Sequence, residues 1–158
     1  MFLKMNSYQS QKEFSIQDIL KVLPHRYPFI LIDKVKINDL GRNLVAIKNV
    51  TINEPFFQGH FPNQPVLPGV LTIEMMAQAG SFLILSQVKD PLSKNMFFSA
   101  VEKAKFIKTI TPGDRLEIHV TLEKKKLGLC KFKGECFVDS DLVAKANFSA
   151  NIVDRLKG

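Results

Sequence analysis

The sequence PGVLTIEMMAQAGSFLILSQV, residues 68–88, decides the fold. Apolar side chains occupy almost every face of this stretch at helical spacing, so it predicts one long helix that must be covered on all sides. The small residues Ala77, Ala79, Gly80 and Ser81 would allow other backbones to come close. One sheet cannot easily cover such a helix, so we expect a curved sheet around it and a second subunit over the remaining surface.

Other regular elements are predicted on both sides of this helix. A short amphipathic helix, two strands and a loop rich in proline and glycine precede it. Four strands with short connections follow it. The predicted ranges are 16–23 for the short helix, 29–37 and 44–51 for the first two strands, 53–69 for the loop, and 96–107, 116–123, 129–138 and 142–153 for the last four strands. This order favours an α+β domain with an antiparallel six-stranded sheet.

Length and composition are typical of one ordinary globular domain. The chain has 158 residues, 46% hydrophobic and 23% charged, which is close to the length of about 150 residues expected for a single domain. We predict the domain at residues 16–158 and a flexible N-terminal extension at residues 1–15. This composition excludes a disordered tail protein, a collagen and a disulfide scaffold.

Charge and cysteine content limit the classes of partner. The formal net charge of +7 favours acidic partners, but basic residues interleaved with exposed aromatic residues are not evident, so we predict no nucleic acid partner. Cys130 and Cys136 match no zinc spacing and cannot form a disulfide framework, which favours a reducing compartment.

We see no export signal, and polar residues interrupt the apolar run 70–88. We therefore predict a cytoplasmic protein without membrane insertion.

Two side chains near the long helix suggest chemistry. Glu74 is the one formally charged side chain between residues 60 and 88, and a buried lone carboxylate is costly unless it holds its proton. His60 lies in a rigid loop just before the helix, and an imidazole is a usable base near neutral pH. Glu74 could instead be exposed or paired with a structural Lys or Arg, and His60 could be structural or solvated.

Together with Gly69, these two residues suit one reaction class. Gly69 offers a free backbone N–H at the helix start, where negative charge on a carbonyl oxygen is favoured. His60 could remove a proton beside that carbonyl while Glu74 protonates a leaving hydroxyl. This indicates elimination of water, with no cofactor and no metal. We interpret His25 as structural and His119 as solvated.

Three motifs are similar to those of a known family. They are LPHRYPF at residues 23–29, NEPFFQGHFP at residues 53–62 and PGVL at residues 68–71, the last followed by Glu74, Met76, Ala77 and Gln78. In this order they resemble the β-hydroxyacyl-[acyl carrier protein] dehydratases of bacterial type II fatty acid synthesis. The resemblance continues to about residue 153 and implies a hot-dog fold, in which a curved antiparallel sheet wraps a long central helix.

The resemblance also implies how the site is assembled. Subunits would pair as a homodimer, commonly within a hexamer that is a trimer of dimers. Each site would combine His60 of one subunit with Glu74 of the other, and the Gly69 N–H would bind the thioester carbonyl. The implied reaction converts a (3R)-hydroxyacyl chain on acidic acyl carrier protein to the trans-2-enoyl thioester and water.

Phenylalanine residues are candidates to line a tunnel for the acyl chain. The sequence has 13 of them, and such residues are more often simply core. Under the resemblance, Phe61, Phe97 and Phe98 are the tunnel candidates. Phe97 stands where many relatives have Tyr, and Glu102 stands where Asp is more usual.

Three alternative functions stay open from the sequence. A bifunctional dehydratase and isomerase typically has Asp at the acid position, so Glu74 favours the form that does not isomerise. A hot-dog thioesterase lacks the Gly-His-Phe-Pro loop. A non-enzymatic acyl-carrier-binding module is disfavoured by the presence of both His60 and Glu74.

Overall fold

A 17-residue helix, α2 at Gly69–Leu85, is the central element of the computed structural model, which describes residues 12–156. Pro68 directly precedes this helix, as expected because the first helical N–H groups have no partner within the helix. From Met75 to Leu85 every residue except Ala77 is buried. The helix is therefore covered nearly all round, as its apolar pattern predicts.

Within residues 12–156, seven antiparallel strands form one sheet around α2, and a short helix lies between the first two strands in sequence. The elements are β1 Glu13–Phe14, α1 Ile16–Val22, β2 Lys34–Asp39, β3 Asn43–Asn49, β4 Lys94–Phe106, β5 Arg115–Lys126, β6 Leu129–Val138 and β7 Asp141–Asp154. Their order in the sheet is β1-β2-β3-β5-β6-β7-β4. The predicted class is confirmed, and the sheet has one strand more than the six predicted.

The additional strand β1 lies at the N-terminal boundary of the predicted domain. Glu13 and Phe14 pair with β2, and Phe14 is fully buried against the Phe82 ring, with 5.1 Å between ring centroids. Ser15 then caps α1 by accepting a hydrogen bond from the Asp18 N–H. The sheet thus begins before residue 16. The rest of the predicted extension, residues 1–11, lies outside the described residues.

The first predicted strand, at residues 29–37, is wrong in its first half. Phe29 and Ile30 donate backbone hydrogen bonds to the Arg26 carbonyl, and the Leu31 N–H donates to the Gln78 side chain at 2.8 Å. These backbone groups are therefore occupied outside the sheet, and β2 begins only at Lys34.

The proline-rich segment between β3 and α2 is ordered. The prediction of a loop without helix needs one correction, because Pro55–Gln58 forms a single 3-10 turn. Proline suits the first position of such a turn because it lacks an N–H that would otherwise need a partner. A second 3-10 turn, Pro91–Ser93, leads into β4.

Strand β4 lies at an edge of the sheet and pairs with β7. Along it Phe97 is 58% exposed and Val101 is 44% exposed. Long edge strands with exposed apolar side chains mark surfaces that pair with another chain. No helix in residues 12–156 has the length and hydropathy needed to cross a membrane.

Candidate active site

His60 lies two residues after the end of the 3-10 turn, and both its backbone and its ring are fixed. Its N–H donates to the Phe56 carbonyl at 3.0 Å, and its Nδ1 lies 2.7 Å from the Val66 carbonyl oxygen. A carbonyl oxygen only accepts, so Nδ1 carries the hydrogen and Nε2 of the neutral ring holds a lone pair. The Phe61 ring stacks on the imidazole with centroids 3.9 Å apart. This arrangement leaves Nε2 available as a base.

The cavity beside His60 has a volume of about 260 Å³, and the first residue of α2, Gly69, also lines it. No acceptor for the Gly69 N–H is found among residues 12–156. A Cβ at this position would lie 2.9 Å from the Phe106 ring, which lines the same cavity. Glycine therefore permits the close approach of Phe106 while the helix N-terminus stays open to a ligand.

Glu74 lies one and a half turns into α2, with its side chain 20% exposed. Burial raises the pKa of its carboxyl group, and a hydrogen bond from Gln78 opposes this rise. Burial is the larger of the two effects. It raises the pKa because it disfavours the charged form. Glu74 is therefore biased toward the protonated form that a general acid requires.

Gln78 holds Glu74 in place from the next turn of the helix. Its Nε2 donates to Glu74 Oε1 at 3.0 Å and to the Phe29 carbonyl at 2.8 Å. Its Oε1 accepts from the Leu31 N–H, and the residue is fully buried. The amide thus joins α2 to the segment before β2. In the sequence Gln78 stands out only as a motif residue, although a polar residue one turn after Glu74 on an apolar helix is a usable signal.

His25 is a neighbour of Glu74 that the sequence reasoning did not place beside it. Its Nε2 lies 3.6 Å from Glu74 Oε1, while its buried Nδ1 has no hydrogen-bond partner in the described part of the chain. Burial, with a smaller contribution from the charge of Arg26, lowers the pKa of His25 and favours the neutral ring. The sequence signal for His25 was its position in the motif LPHRYPF at residues 23–29. The other histidine, His119, lies on the sheet surface, 3.4 Å from Glu117.

Two of the tunnel candidates lie beside Glu74. A cavity of about 280 Å³ is lined by His25, Glu74, Phe97 and Phe98 among others. Phe61 is half-exposed and lies against His60. His60 and Gly69 thus share one cavity of the chain, and Glu74 lines another. Within residues 12–156 no group of three or more His, Cys, Asp or Glu side chains could hold a metal ion.

Comparison with known families shows the family of this chain. The model of the FabA-like domain matches residues 23–147, which include His25, His60, Gly69 and Glu74. The chain belongs to the FabA-like family. The matched range contains the residues that line both cavities.

Curated relatives are similar to this chain over most of its length. A 3-hydroxyacyl-[acyl-carrier-protein] dehydratase FabZ of Oleidesulfovibrio alaskensis is 47% identical over 141 residues, which cover 89% of this chain and 92% of the relative. The FabZ of Shewanella denitrificans is 50% identical over 83% of this chain and 87% of its own.

Solved structures confirm the hot-dog fold. The dehydratase heterocomplex ApeI:P of Xenorhabdus doucetiae matches with a TM-score of 0.71 at 20% identity, covering 87% of this chain and 91% of the other. A thioesterase superfamily member of Thermus thermophilus matches with a TM-score of 0.59 at 21% identity, covering 75% of this chain and 87% of the other. At such identities the likeness concerns the fold alone.

Proposed function

We propose that this chain is a hydro-lyase that converts (3R)-hydroxyacyl-[acyl carrier protein] to the trans-2-enoyl thioester and water in fatty acid synthesis. The observation that carries this function is the 47% to 50% identity, over most of the chain, to relatives named 3-hydroxyacyl-[acyl-carrier-protein] dehydratase. The two cavities add groups suited to that reaction: a histidine with a free Nε2, a carboxyl group biased toward its acid form and an open helix N-terminus.

His60 serves as the base in the proposed mechanism. With Nδ1 hydrogen-bonded to Val66, its Nε2 takes a proton from C2 of the acyl chain. The C–H electrons move first toward the thioester carbonyl, whose oxygen gains negative charge. The Gly69 N–H, aided by the dipole of α2, stabilises that charge.

Glu74 serves as the acid. As the electrons form the C2=C3 double bond, the C3–O bond breaks and Glu74 transfers its proton to the leaving hydroxyl, which departs as water. Gln78 then stabilises the carboxylate through its hydrogen bond to Oε1. The protonated His60 and ionised Glu74 exchange protons with solvent before the next turnover.

We further propose that the working unit is at least a homodimer, within a trimer of dimers, whose substrate carrier is an acidic protein attracted by the +7 net charge. The exposed apolar edge of β4 supports pairing of two chains there. In such a pair, His60 of one subunit would face Glu74 of the other. The cytoplasmic location stays a prediction.

The test of this function follows the absorbance of a conjugated enoyl thioester, crotonyl on acyl carrier protein or coenzyme A. Wild type should hydrate it reversibly, whereas His60→Ala and Glu74→Gln should not. Unchanged turnover in His60→Ala would remove His60 as the base. If folded wild type fails with several chain lengths, the protein is a binding module instead.

Two further product measurements distinguish the two alternative enzymes. Formation of cis-3-decenoyl product from a ten-carbon substrate would indicate the bifunctional isomerase. Release of free thiol from an acyl thioester would indicate a thioesterase. The expected result is neither product, because Glu74 is the acid typical of the non-isomerising enzymes and the Gly-His-Phe-Pro loop is present.

A further inference from the structure

Strand β3 carries a lysine at a position that faces the core. The buried residues alternate along this strand as Leu44, Ala46 and Lys48, and Lys48 is only 5% exposed. Lysine is almost never buried unless it is paired. Its Nζ lies 2.5 Å from Glu54 Oε1 and 3.7 Å from Asp33 Oδ2.

Stability alone gives a weak reason for this buried ion pair. Removing two charges from water costs free energy that their attraction only partly returns, so well-packed apolar residues often replace such pairs without loss. A lysine here therefore calls for a role that two apolar side chains would not fulfil. A fixed geometry between the two segments that it joins is one such role.

Glu54 lies where the His60 segment leaves the sheet. Its N–H donates to the Thr51 carbonyl, and its own carbonyl accepts from Phe57 within the 3-10 turn. The carbonyl of Phe56, in the same turn, accepts the His60 N–H. A continuous set of short contacts thus leads from the Lys48 ammonium to the backbone of His60.

The other partner of Lys48 secures the sheet side of the contact. Asp33 Oδ2 accepts the Asn49 N–H at 2.7 Å, and the Asp33 N–H donates to the Ile47 carbonyl at 2.7 Å. Asp33 therefore binds the backbone on both sides of Lys48. The backbone that carries Lys48 is therefore held in place while its ammonium group binds Glu54.

We propose that Lys48 is a positioning residue for the dehydration: through its ion pair with Glu54 it fixes the 3-10 turn from which His60 projects. The inference rests on the proposed function, in which His60 is the base. Lys48 touches no substrate and acts on the rate only through the placement of the imidazole. A base displaced by about 1 Å can lose about 100-fold in rate.

The test compares Lys48→Met, Lys48→Arg and the double variant Lys48→Met with Glu54→Gln. The double variant removes the uncompensated carboxylate of Glu54, so it folds even where the single Met variant does not. Lys34→Met is the matched control, because it removes a lysine from an exposed ion pair with Glu13, 3.3 Å long, on the neighbouring strand.

We expect kcat to fall by about 10-fold to 100-fold in both Met variants, with KM changed by less than about threefold. Lys48→Arg, which keeps the positive charge beside Glu54, should retain most of the activity, and Lys34→Met should match wild type. A folded double variant with wild-type kcat would overturn the proposal. So would a KM effect as large as the kcat effect.

A second readout separates positioning from general destabilisation. In wild type the ¹⁵N resonances of His60 should report one tautomer, with hydrogen on Nδ1, because Val66 accepts from that atom. In the double variant the same resonances should report a mixture of the two tautomers of the His60 ring. On a His60→Ala background the loss of Lys48 should add nothing to the residual rate, because both changes act through the same base.

The outcome of the tautomer measurement does not depend on whether the proposed function is correct. The tautomer measurement needs no substrate, and wild type with His60→Ala tests the function by itself. An inactive wild type with a variant-dependent tautomer would reject the function and keep the positioning. An active wild type with a wild-type tautomer in the double variant would reject the positioning alone.

Discussion

His60 and Val66 are joined by two hydrogen bonds: the imidazole Nδ1 donates to the Val66 carbonyl at 2.7 Å, and the Val66 N–H donates to the His60 carbonyl at 3.1 Å. The next residue, Leu67, donates to the Ile110 carbonyl at 2.8 Å. The orientation of the ring is thereby tied to the segment that enters α2. The His60 ring and the N-terminus of α2 are thus held in one connected segment.

The proposed acid role of Glu74 predicts a large loss of rate in Glu74→Gln. An amide keeps the shape of the side chain but cannot donate the proton, so kcat should fall by about two to four orders of magnitude. The enoyl thioester assay measures this. Near-native turnover would exclude Glu74 as the acid.

The same substitution should make the protein more stable at neutral pH. Burial raises the pKa of Glu74 above its ordinary 4.5, so between pH 4.5 and the raised pKa the native state binds more protons than the unfolded state. The free energy of unfolding of wild type therefore falls as pH rises through this window. Thermal unfolding should give Glu74→Gln a gain in Tm over wild type that is larger at pH 8 than at pH 4. A gain that is the same at both pH values would contradict this assignment.

Replacement of Gln78 should change the pH dependence of the reaction. In Gln78→Met the hydrogen bond that stabilises the Glu74 carboxylate is lost, so the pKa of Glu74 rises further and its acid form persists to higher pH. The alkaline limb of kcat/KM for dehydration should move upward in pH. The unfolding free energy should also fall, by about 1–3 kcal/mol for each buried group left unpaired.

The control for this change is Gln87→Met. Gln87 also donates to a backbone carbonyl, that of Leu83, but it lies just after α2 and outside the Glu74 cavity. The pH profile of kcat/KM for Gln87→Met should match that of wild type. An equal shift of the alkaline limb in Gln78→Met and Gln87→Met would show that the shift does not arise from the hydrogen bond to Glu74.

Gly69 should tolerate no added methyl group. The Cβ of Gly69→Ala would lie 2.9 Å from the Phe106 ring, which must then move within the His60 cavity, so we expect kcat/KM to fall by about 10-fold or more. Gly59→Ala is the matched comparison, because its Cβ meets no atom within 4 Å. Equal activity of both variants would contradict the close approach at Gly69.

A site shared between subunits predicts complementation. His60→Ala and Glu74→Gln chains are each expected to be inactive alone. Mixed after mild dissociation, they should form heterodimers with one intact site, giving about half the activity of a wild-type dimer. If each site lay within a single subunit, mixing would restore nothing.

Much of the fold could be predicted because its patterns are long. The apolar surface of α2 and the alternation in β5 to β7 need no tertiary information. The segment at residues 29–33 is different, because a short apolar run reads as a strand until the side chain of Gln78 takes the Leu31 N–H. That contact joins residues 47 apart in sequence.

The candidate site also contains residues that the sequence predicts and residues that only the tertiary structure brings together. His60, Gly69 and Glu74 could be predicted from local chemistry and from motifs. His25 beside Glu74 depends on the packing of a distant loop, which no spacing reveals. Lys48 had a weak local signal, since it continues the core-facing alternation of Leu44 and Ala46.

The edge strand β4 also sets a condition on how the protein reaches its active form. A newly folded subunit presents 13 residues of strand with Phe97 and Val101 exposed, and such an edge joins any compatible strand that it meets. In the proposed dimer, correct pairing of two subunits is bimolecular, so dilution slows it, whereas crowding with unfolded chains favours the wrong partner. The yield of active enzyme on refolding should therefore pass through a maximum with protein concentration, because that yield would depend on how quickly each subunit meets a second one.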